Sequence, residues 1–185
     1  MDKGAECYRR FLDGDDNGLI EIIRDHKDGL ILYLNNYVSN ISIAEELAED
    51  TFVKIGLKKP KDTRKSSFKT WLYTIGRNTA LDYLRKERHA PTISIDLFQD
   101  LELQQDSLEQ CYIQQEQKTV LLRSIKKLKP EYCEVLWLTY FEGFSHKEAA
   151  GIMKKSVHNI DTLVWRAKKA LKAELFKEGF VYEEC

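Results

Sequence analysis

The sequence predicts an all-α protein made of two small helical domains on either side of a flexible acidic linker, and three observations predict it. Apolar residues recur at helical spacing while the long β-branched alternation of strands is missing, and only 3 Pro and 9 Gly interrupt a chain that is 32% charged. With 43% apolar residues over a length of 185, the chain can build two modest cores of roughly 70–90 residues each. Charge is sorted into consecutive blocks: Lys and Arg against Asp and Glu count 6 to 12 over residues 1–57, 10 to 3 over 58–89, none to 6 over 90–116 and 13 to 9 over 117–185. The expected domains are therefore 1–90 and 117–185, with 91–116 between them.

Charge decides which surface can approach a polyanion. Two basic blocks separated by an acidic tether suit two nucleic-acid-facing modules joined by a segment that stays off DNA. Solvated helix faces whose charges happen to cluster would look the same.

The remaining composition excludes several classes. No apolar run approaches the roughly 20 residues of a membrane span, and the opening Met1-Asp2-Lys3-Gly4-Ala5-Glu6 is not a secretory signal. Cys7, Cys111, Cys133 and Cys185 are scattered without a CxxC pair, so neither a disulfide framework nor a zinc site is expected, and a reducing cytoplasm is the expected compartment. His146-Lys-Glu148 is not HExxH, His26, His89 and His158 have no evident partners, and no glycine loop for phosphate is present. Neither an enzyme nor a cofactor or metal is expected.

The N-terminal elements follow in order. Residues 15–38 read as two short amphipathic core segments, the first with Leu19, Ile20, Ile22 and Ile23, the second with Leu30, Ile31, Leu34, Tyr37 and Val38, and Gly29 between them. Over 42–57, at 100° per residue, Ile43, Ala44, Leu47, Ala48, Phe52 and Ile55 share one arc, and Glu45, Glu46, Glu49 and Asp50 gather on the other with Val53 in their midst. Like charges at i,i+4 (45/49 and 46/50) cost a few tenths of a kcal/mol per pair. Docking against a basic protein groove would explain that cost; solubility is the competing reading.

Lys58, Lys59, Lys61, Arg64 and Lys65 then surround Pro60 in a basic loop, and Ser66 or Ser67 can cap the next helix, about 67 to 88. That helix turns Phe68, Trp71, Leu72 and Ile75 inward, with Tyr83 and Leu84 further on, and carries Thr70, Thr74, Arg77, Arg85 and Arg88 on another arc. Cations that hold phosphates beside hydroxyls and rings suit single-stranded or distorted DNA, although Trp71 and Phe68 read as core. Pro91 ends the helix. Residues 92–116, acidic and without sustained period, form the linker, whose last part enters a helix.

From Pro130, a good N1 residue, Val135, Leu136, Leu138 and Phe141 run to a stop at Gly143. Ser145-His-Lys-Glu148 is a capping box opening a short helix with Ala149, Ala150, Ile152 and Met153 inside. After Lys154-Lys155 a longer helix starts near Ser156 with the stripe Val157, Ile160, Val164, Ala167, Leu171 and Leu175, opposite His158, Asn159, Thr162, Trp165, Arg166 and Lys169. A short capped helix, a tight turn and a longer helix with a basic outer face form a helix-turn-helix.

These residues resemble a known family. Ala44-Glu-Glu-Leu-Ala-Glu-Asp-Thr-Phe-Val and Phe68-Lys-Thr-Trp-Leu-Tyr-Thr-Ile-Gly-Arg-Asn-Thr-Ala-Leu-Asp-Tyr-Leu-Arg-Lys are similar to region 2 of the extracytoplasmic-function sigma factors of bacterial RNA polymerase. Leu128-Lys-Pro-Glu-Tyr-Cys-Glu-Val-Leu-Trp-Leu-Thr-Tyr-Phe-Glu-Gly-Phe-Ser-His-Lys-Glu-Ala-Ala and Trp165-Arg-Ala-Lys-Lys-Ala-Leu resemble the start and end of their region 4. The resemblance implies a sigma factor that binds core polymerase and makes it promoter-specific. Glu45, Glu46, Glu49, Asp50 and Val53 would dock on the clamp of the largest subunit. Lys61, Arg64, Lys65, Ser66, Arg77, Asn78 and Arg85 would engage the −10 element, and Lys154, Lys155, His158, Asn159, Thr162, Arg166 and Lys169 the −35 element. Of these last, Asn159 can pair with an adenine edge and Arg166 with guanine or phosphate, while Lys154, Lys155 and Lys169 would hold phosphates. The other implied partners are the flap of the second subunit and, where one exists, an anti-sigma factor, with the chain a monomer in holoenzyme and not inserted in a membrane.

Two features depart from the family. Lys154 stands where Gly is frequent in the turn, and Asp161 and Leu163 where basic residues are frequent. Trp165 can pack on DNA sugars or on the polymerase flap. The competing function is a stand-alone helix-turn-helix regulator that binds an operator unaided; it accounts for residues 128–175 but leaves the acidic helix and the 58–89 block without a job.

Overall fold

Residues 2–59, 66–89 and 110–179 are described by a computed structural model, and every regular element among them is a helix. Side chains are described for the same residues apart from 88–89 and 110–117.

Helix α1 (Lys3–Leu12) starts where the Asp2 carboxylate accepts the Ala5 N–H at 3.2 Å, and it buries Cys7, Tyr8 and Phe11. Helix α2 (Asn17–Val38) is continuous over 22 residues, so the break expected at Gly29 does not occur. Gly29 serves a different need. A Cβ there would lie 2.8 Å from the Tyr73 hydroxyl and 3.2 Å from the Glu142 carboxylate, so hydrogen is the only side chain that lets those groups close onto the helix.

Helix α3 (Ile41–Lys58) begins with the Asn40 side chain accepting the Ile43 N–H and ends on Lys59 in left-handed backbone at φ 41°. It buries Ala44, Leu47, Ala48, Phe52 and Ile55 as the pattern predicts, and also Thr51, whose hydroxyl donates to the Leu47 carbonyl at 2.7 Å. Of the two candidate caps for α4 (Phe68–His89), Ser67 does the work, its Oγ accepting the Thr70 N–H at 3.3 Å. Phe68 is fully buried against Tyr8 and Trp71, with centroids 5.7 and 5.4 Å away, so these rings are core and not stacking platforms.

The C-terminal helices are α5 (Gln110–Lys126), α6 (Pro130–Leu136), α7 (His146–Met153) and α8 (Val157–Lys177). The expected linker thus reaches α5 at Gln110, and residues 90–109 lie outside the described residues. Pro130 opens α6 as expected, but the run beyond it changes winding: Trp137–Phe141 form a π-helical turn in which the Trp137 and Phe141 rings stack at 4.5 Å and 6°. Gly143 ends it at φ +71°. The capping box is present, Ser145 accepting the Glu148 N–H while Glu148 accepts the Ser145 N–H. Ser156 caps α8 by accepting the Asn159 N–H.

In the α8 stripe, Ile160, Val164, Ala167 and Leu175 are buried, Leu171 is half-buried and Val157 is exposed. Leu163, which stands where basic residues are frequent in the family, is 9% exposed and belongs to the core. Its burial follows from α8 packing against α5, α6 and α7 at once.

How the two helical groups sit was not legible in the sequence. They share one apolar core: α2 and α4 pack on α6 and α7, and Tyr73 meets Phe144 edge-on at 5.1 Å.

Candidate functional site

The acidic side of α3 is open. Glu45, Glu46, Glu49 and Asp50 are all exposed and make no ion pair among the described residues. Val53 is 52% and Leu57 81% exposed, so apolar surface continues the charged stripe toward the end of the helix. It leads into an open apolar groove of about 460 Å³ lined by Phe11, Leu19, Ile23, Phe52, Val53, Gly56 and Leu57. Acid beside uncovered apolar surface can hold a partner that presents cations around an apolar ridge.

The basic side of α4 is covered over its first three turns and open beyond them. Of the residues expected on the −10 surface, Lys61, Arg64 and Lys65 lie outside the described residues, Ser66 is exposed and Asn78 half-buried. Arg85 is exposed and pairs with Asp82 at 2.8 Å. Arg77 is 14% exposed, its Nε donating at 2.7 Å to Glu134 of α6, itself 7% exposed. Burial alone would lower the Arg77 pKa, but the Glu134 carboxylate beside it raises it, so the guanidinium stays charged. The Tyr33 hydroxyl donates to the same Glu134 oxygen at 3.3 Å.

Two further carboxylates reach α4 from the C-terminal helices. Glu142 accepts from the Tyr73 hydroxyl at 2.7 Å and from Lys69 at 3.0 Å, and Lys69 also donates to its backbone carbonyl at 2.8 Å. Burial, and then the Glu142 charge, push the Tyr73 phenol upward. Glu148 accepts from Ser67 at 3.1 Å and Thr70 at 3.2 Å. Burial works to raise the Glu148 pKa, but the hydrogen bonds from Ser145, Ser67 and Thr70 outweigh it and hold the carboxyl below its usual value.

The α7–α8 unit presents a third surface. His158, Asn159, Arg166 and Lys169 are exposed on α8, and Thr162 is half-buried with its hydroxyl bonded to the His158 carbonyl. Lys154 is exposed in the turn at φ +55°, the left-handed conformation that explains why Gly suits this position. Lys155 is tied to Glu131 at 2.9 Å, and Asp161 to His146 Nδ1 at 2.6 Å. Trp165, 63% exposed, has the Lys169 ammonium 5.5 Å over its ring.

Two family models match the chain: sigma-70 region 2 over residues 22–90 and sigma-70 region 4 over residues 118–171. The chain belongs to the sigma-70 family. It is similar to the ECF RNA polymerase sigma factor SigM of Bacillus subtilis, 31% identical over 159 residues that cover 86% of this chain and 95% of that one. RNA polymerase sigma factor YlaC of the same organism is 28% identical over 158 residues, covering 85% and 91%. In fold, the chain is similar to the sigma factor RpoE of Bartonella quintana, solved in complex with the anti-sigma factor NepR, at a TM-score of 0.68 and 24% identity over 84% of this chain and 94% of that one. A structure of CnrH in complex with the cytosolic domain of CnrY gives 0.66 and 21% over 95% and 96%. This chain is thus a sigma factor of the extracytoplasmic-function type, a partner of core RNA polymerase and promoter DNA that directs transcription. None of its described helices is long and apolar enough to cross a membrane.

Sequence reasoning did not single out Lys69, Tyr73, Glu134, Glu142 or Glu148, which the structure brings together where the C-terminal helices meet α4. The first two sit in a helix with known spacing and were available. The three glutamates act on a helix more than fifty residues away in sequence, and no local pattern announces that.

Proposed function

We propose that residues 1–90 of this sigma factor dock on polymerase and engage the −10 element, that 91–116 connect, and that 117–185 read the −35 element. Glu45, Glu46, Glu49, Asp50 and Val53 form the contact with the clamp of the largest subunit. The observation that carries this reading is the open α3 face: four exposed carboxylates with no ion-pair partner among the described residues, beside exposed Val53 and Leu57, in a helix whose opposite arc is core. A monomer has no internal use for such a stripe, and it fits a basic partner groove.

The basic loop with Lys61, Arg64, Lys65 and Ser66, and α4 with Arg77, Asn78 and Arg85, hold the melted −10 strand. On α8, Asn159 and Arg166 read bases, each supplying about 1–3 kcal/mol of discrimination. His158 and Thr162 line the same groove, and Lys154, Lys155 and Lys169 hold phosphates. Trp165 packs on DNA sugars or on the polymerase flap. The polypeptide works in the cytoplasm, carries out no chemistry of its own, and binds an anti-sigma factor where one exists, as RpoE of Bartonella quintana does in its complex with NepR.

Transcription in vitro from a promoter library with purified core polymerase tests the reading. Initiation depends on the added chain, and E46K/E49K loses it by at least about tenfold, because like charges facing a basic groove cost several kcal/mol. Undiminished initiation from a folded E46K/E49K variant would refute the docking assignment. Tight, specific duplex binding by the chain alone would favour the operator-binding regulator instead.

A further inference from the structure

We infer that helix α1 is a brace for the −10 surface, with Asp2 as its positioning residue: α1 fixes where the basic segment leaves α3 and where it enters α4. This role rests on reading the 58–89 block as the −10 surface.

Asp2 serves two helices at once. One carboxylate oxygen accepts the Ala5 N–H at 3.2 Å and caps α1. The other accepts the N–H of Phe68, the first residue of α4, at 2.6 Å. The opening N–H groups of a helix have no partner within it and carry partial positive charge, so a carboxylate shared by two N-termini ties them together. Ser67 leaves the Phe68 N–H to Asp2, because its own hydroxyl accepts the Thr70 N–H. Backbone contact makes the joint tight. A Cβ on Gly4 would lie 2.5 Å from Phe68 Cδ1, so a bare backbone is what lets the first turn of α1 rest on this buried ring. Tyr8, one turn further, packs on Phe68 and Trp71 with centroids 5.7 and 5.1 Å away.

At its other end α1 reaches the close of α3. The ammonium of Lys59, the left-handed residue that ends α3, stands 4.7 Å over the Phe11 ring. Lys59 and Phe68 flank the basic segment, so one helix of 10 residues touches both of its stems. The brace is itself anchored on α2, where Lys3 pairs with Asp25 at 2.6 Å and Arg10 with Glu21 at 2.9 Å. Holding both stems removes conformations that a bound strand would otherwise have to remove, and pre-organised groups bind more tightly. Asp2 stands at the opposite end of α1 from Phe11 and the apolar groove, so loss of its second bond acts on strand capture and leaves docking through α3 intact.

Holoenzyme assembled with the full D2S chain tests this. Serine still caps α1, but its single oxygen cannot also hold α4, so the helix stays and the tie is lost. On a duplex promoter from which the wild type initiates, permanganate oxidation of unpaired −10 thymines should fall about tenfold, the size expected for one hydrogen bond to a charged group. Affinity for core polymerase should be unchanged. On the same promoter with mismatched, already open −10 strands, D2S should initiate within about twofold of the wild type, because the cost of unstacking is gone. A chain that is merely destabilised loses activity on both templates alike. Undiminished opening of the duplex by D2S, an equal loss on both templates, or weakened core binding would overturn the brace. The R64A/K65A variant keeps the two readings apart. If it loses opening while D2S keeps it, the brace alone fails; if it opens the duplex as the wild type does, the −10 surface fails and the brace with it.

Discussion

Helices α3 and α4 lie side by side, are similar in length, and bury comparable apolar arcs, yet their charged faces have opposite fates. On α3 the carboxylates are exposed and have no ion-pair partner among the described residues. On α4 Lys69 and Arg77 are paired, and the hydroxyls of Ser67, Thr70 and Tyr73 are engaged. The difference teaches that a charged arc read from helical spacing can be left open to water or be taken into the fold by carboxylates distant in sequence. A charged face left open contributes almost nothing to stability and is available for recognition; one covered by buried carboxylates is part of the fold.

Deleting one charge from each helix separates these roles most sharply. Arg77→Ala leaves Glu134 buried and unpaired, and equilibrium urea unfolding should register a loss of about 3–5 kcal/mol. Glu46→Ala should change stability by no more than about 0.5 kcal/mol. Equal small effects would mean that the α4 contact does not hold the fold.

Adding a methyl to each neighbourhood makes the next test. At Gly29 the new Cβ is forced against the Tyr73 hydroxyl and the Glu142 carboxylate, so Gly29→Ala should cost about 1–2 kcal/mol even after the gain in helix propensity. At Gly56 in α3 it meets only the flexible Leu19 side chain at 3.3 Å, so Gly56→Ala should be near neutral or stabilising. The thermal midpoints of the two variants should therefore move apart.

The smallest effect concerns pH. His26, in α2 beside Phe68, has its pKa lowered by burial and then by the Lys69 charge. The unfolded chain therefore binds the proton first as pH falls, so the stability from its neutral ring is complete above the ordinary value of 6.5 and is lost on acidification through and below it. His26→Gln should flatten the fall in thermal midpoint between about pH 7 and 5.

Much of this was legible in the sequence because it is local. The α3 arc, the Ser145 capping box, the Ser156 start of α8 and the core role of Phe68 follow from spacing and side-chain chemistry within one or two turns. The rest was hidden for identifiable reasons. Helix α1 is short and has only Cys7, Tyr8 and Phe11 to signal its buried side. Gly29 looked like a break because glycine usually weakens a helix, whereas here it permits an approach by groups distant in sequence. Leu163 lies outside the apolar stripe that spacing picks out and is buried because α8 packs against α5, α6 and α7. For Arg77, the sequence shows a cation on a polar arc but not the Glu134 that covers it.

The most direct test of the central contrast is carbodiimide labelling of carboxylates with glycine ethyl ester, followed by mass spectrometry, in the free chain and in holoenzyme. Glu46 and Glu49 should label fast in the free protein and become protected with core polymerase, while Glu134 and Glu142 should be protected in the free chain. Equal labelling of all four in the free chain, or undiminished labelling of Glu46 and Glu49 in holoenzyme, would contradict the account.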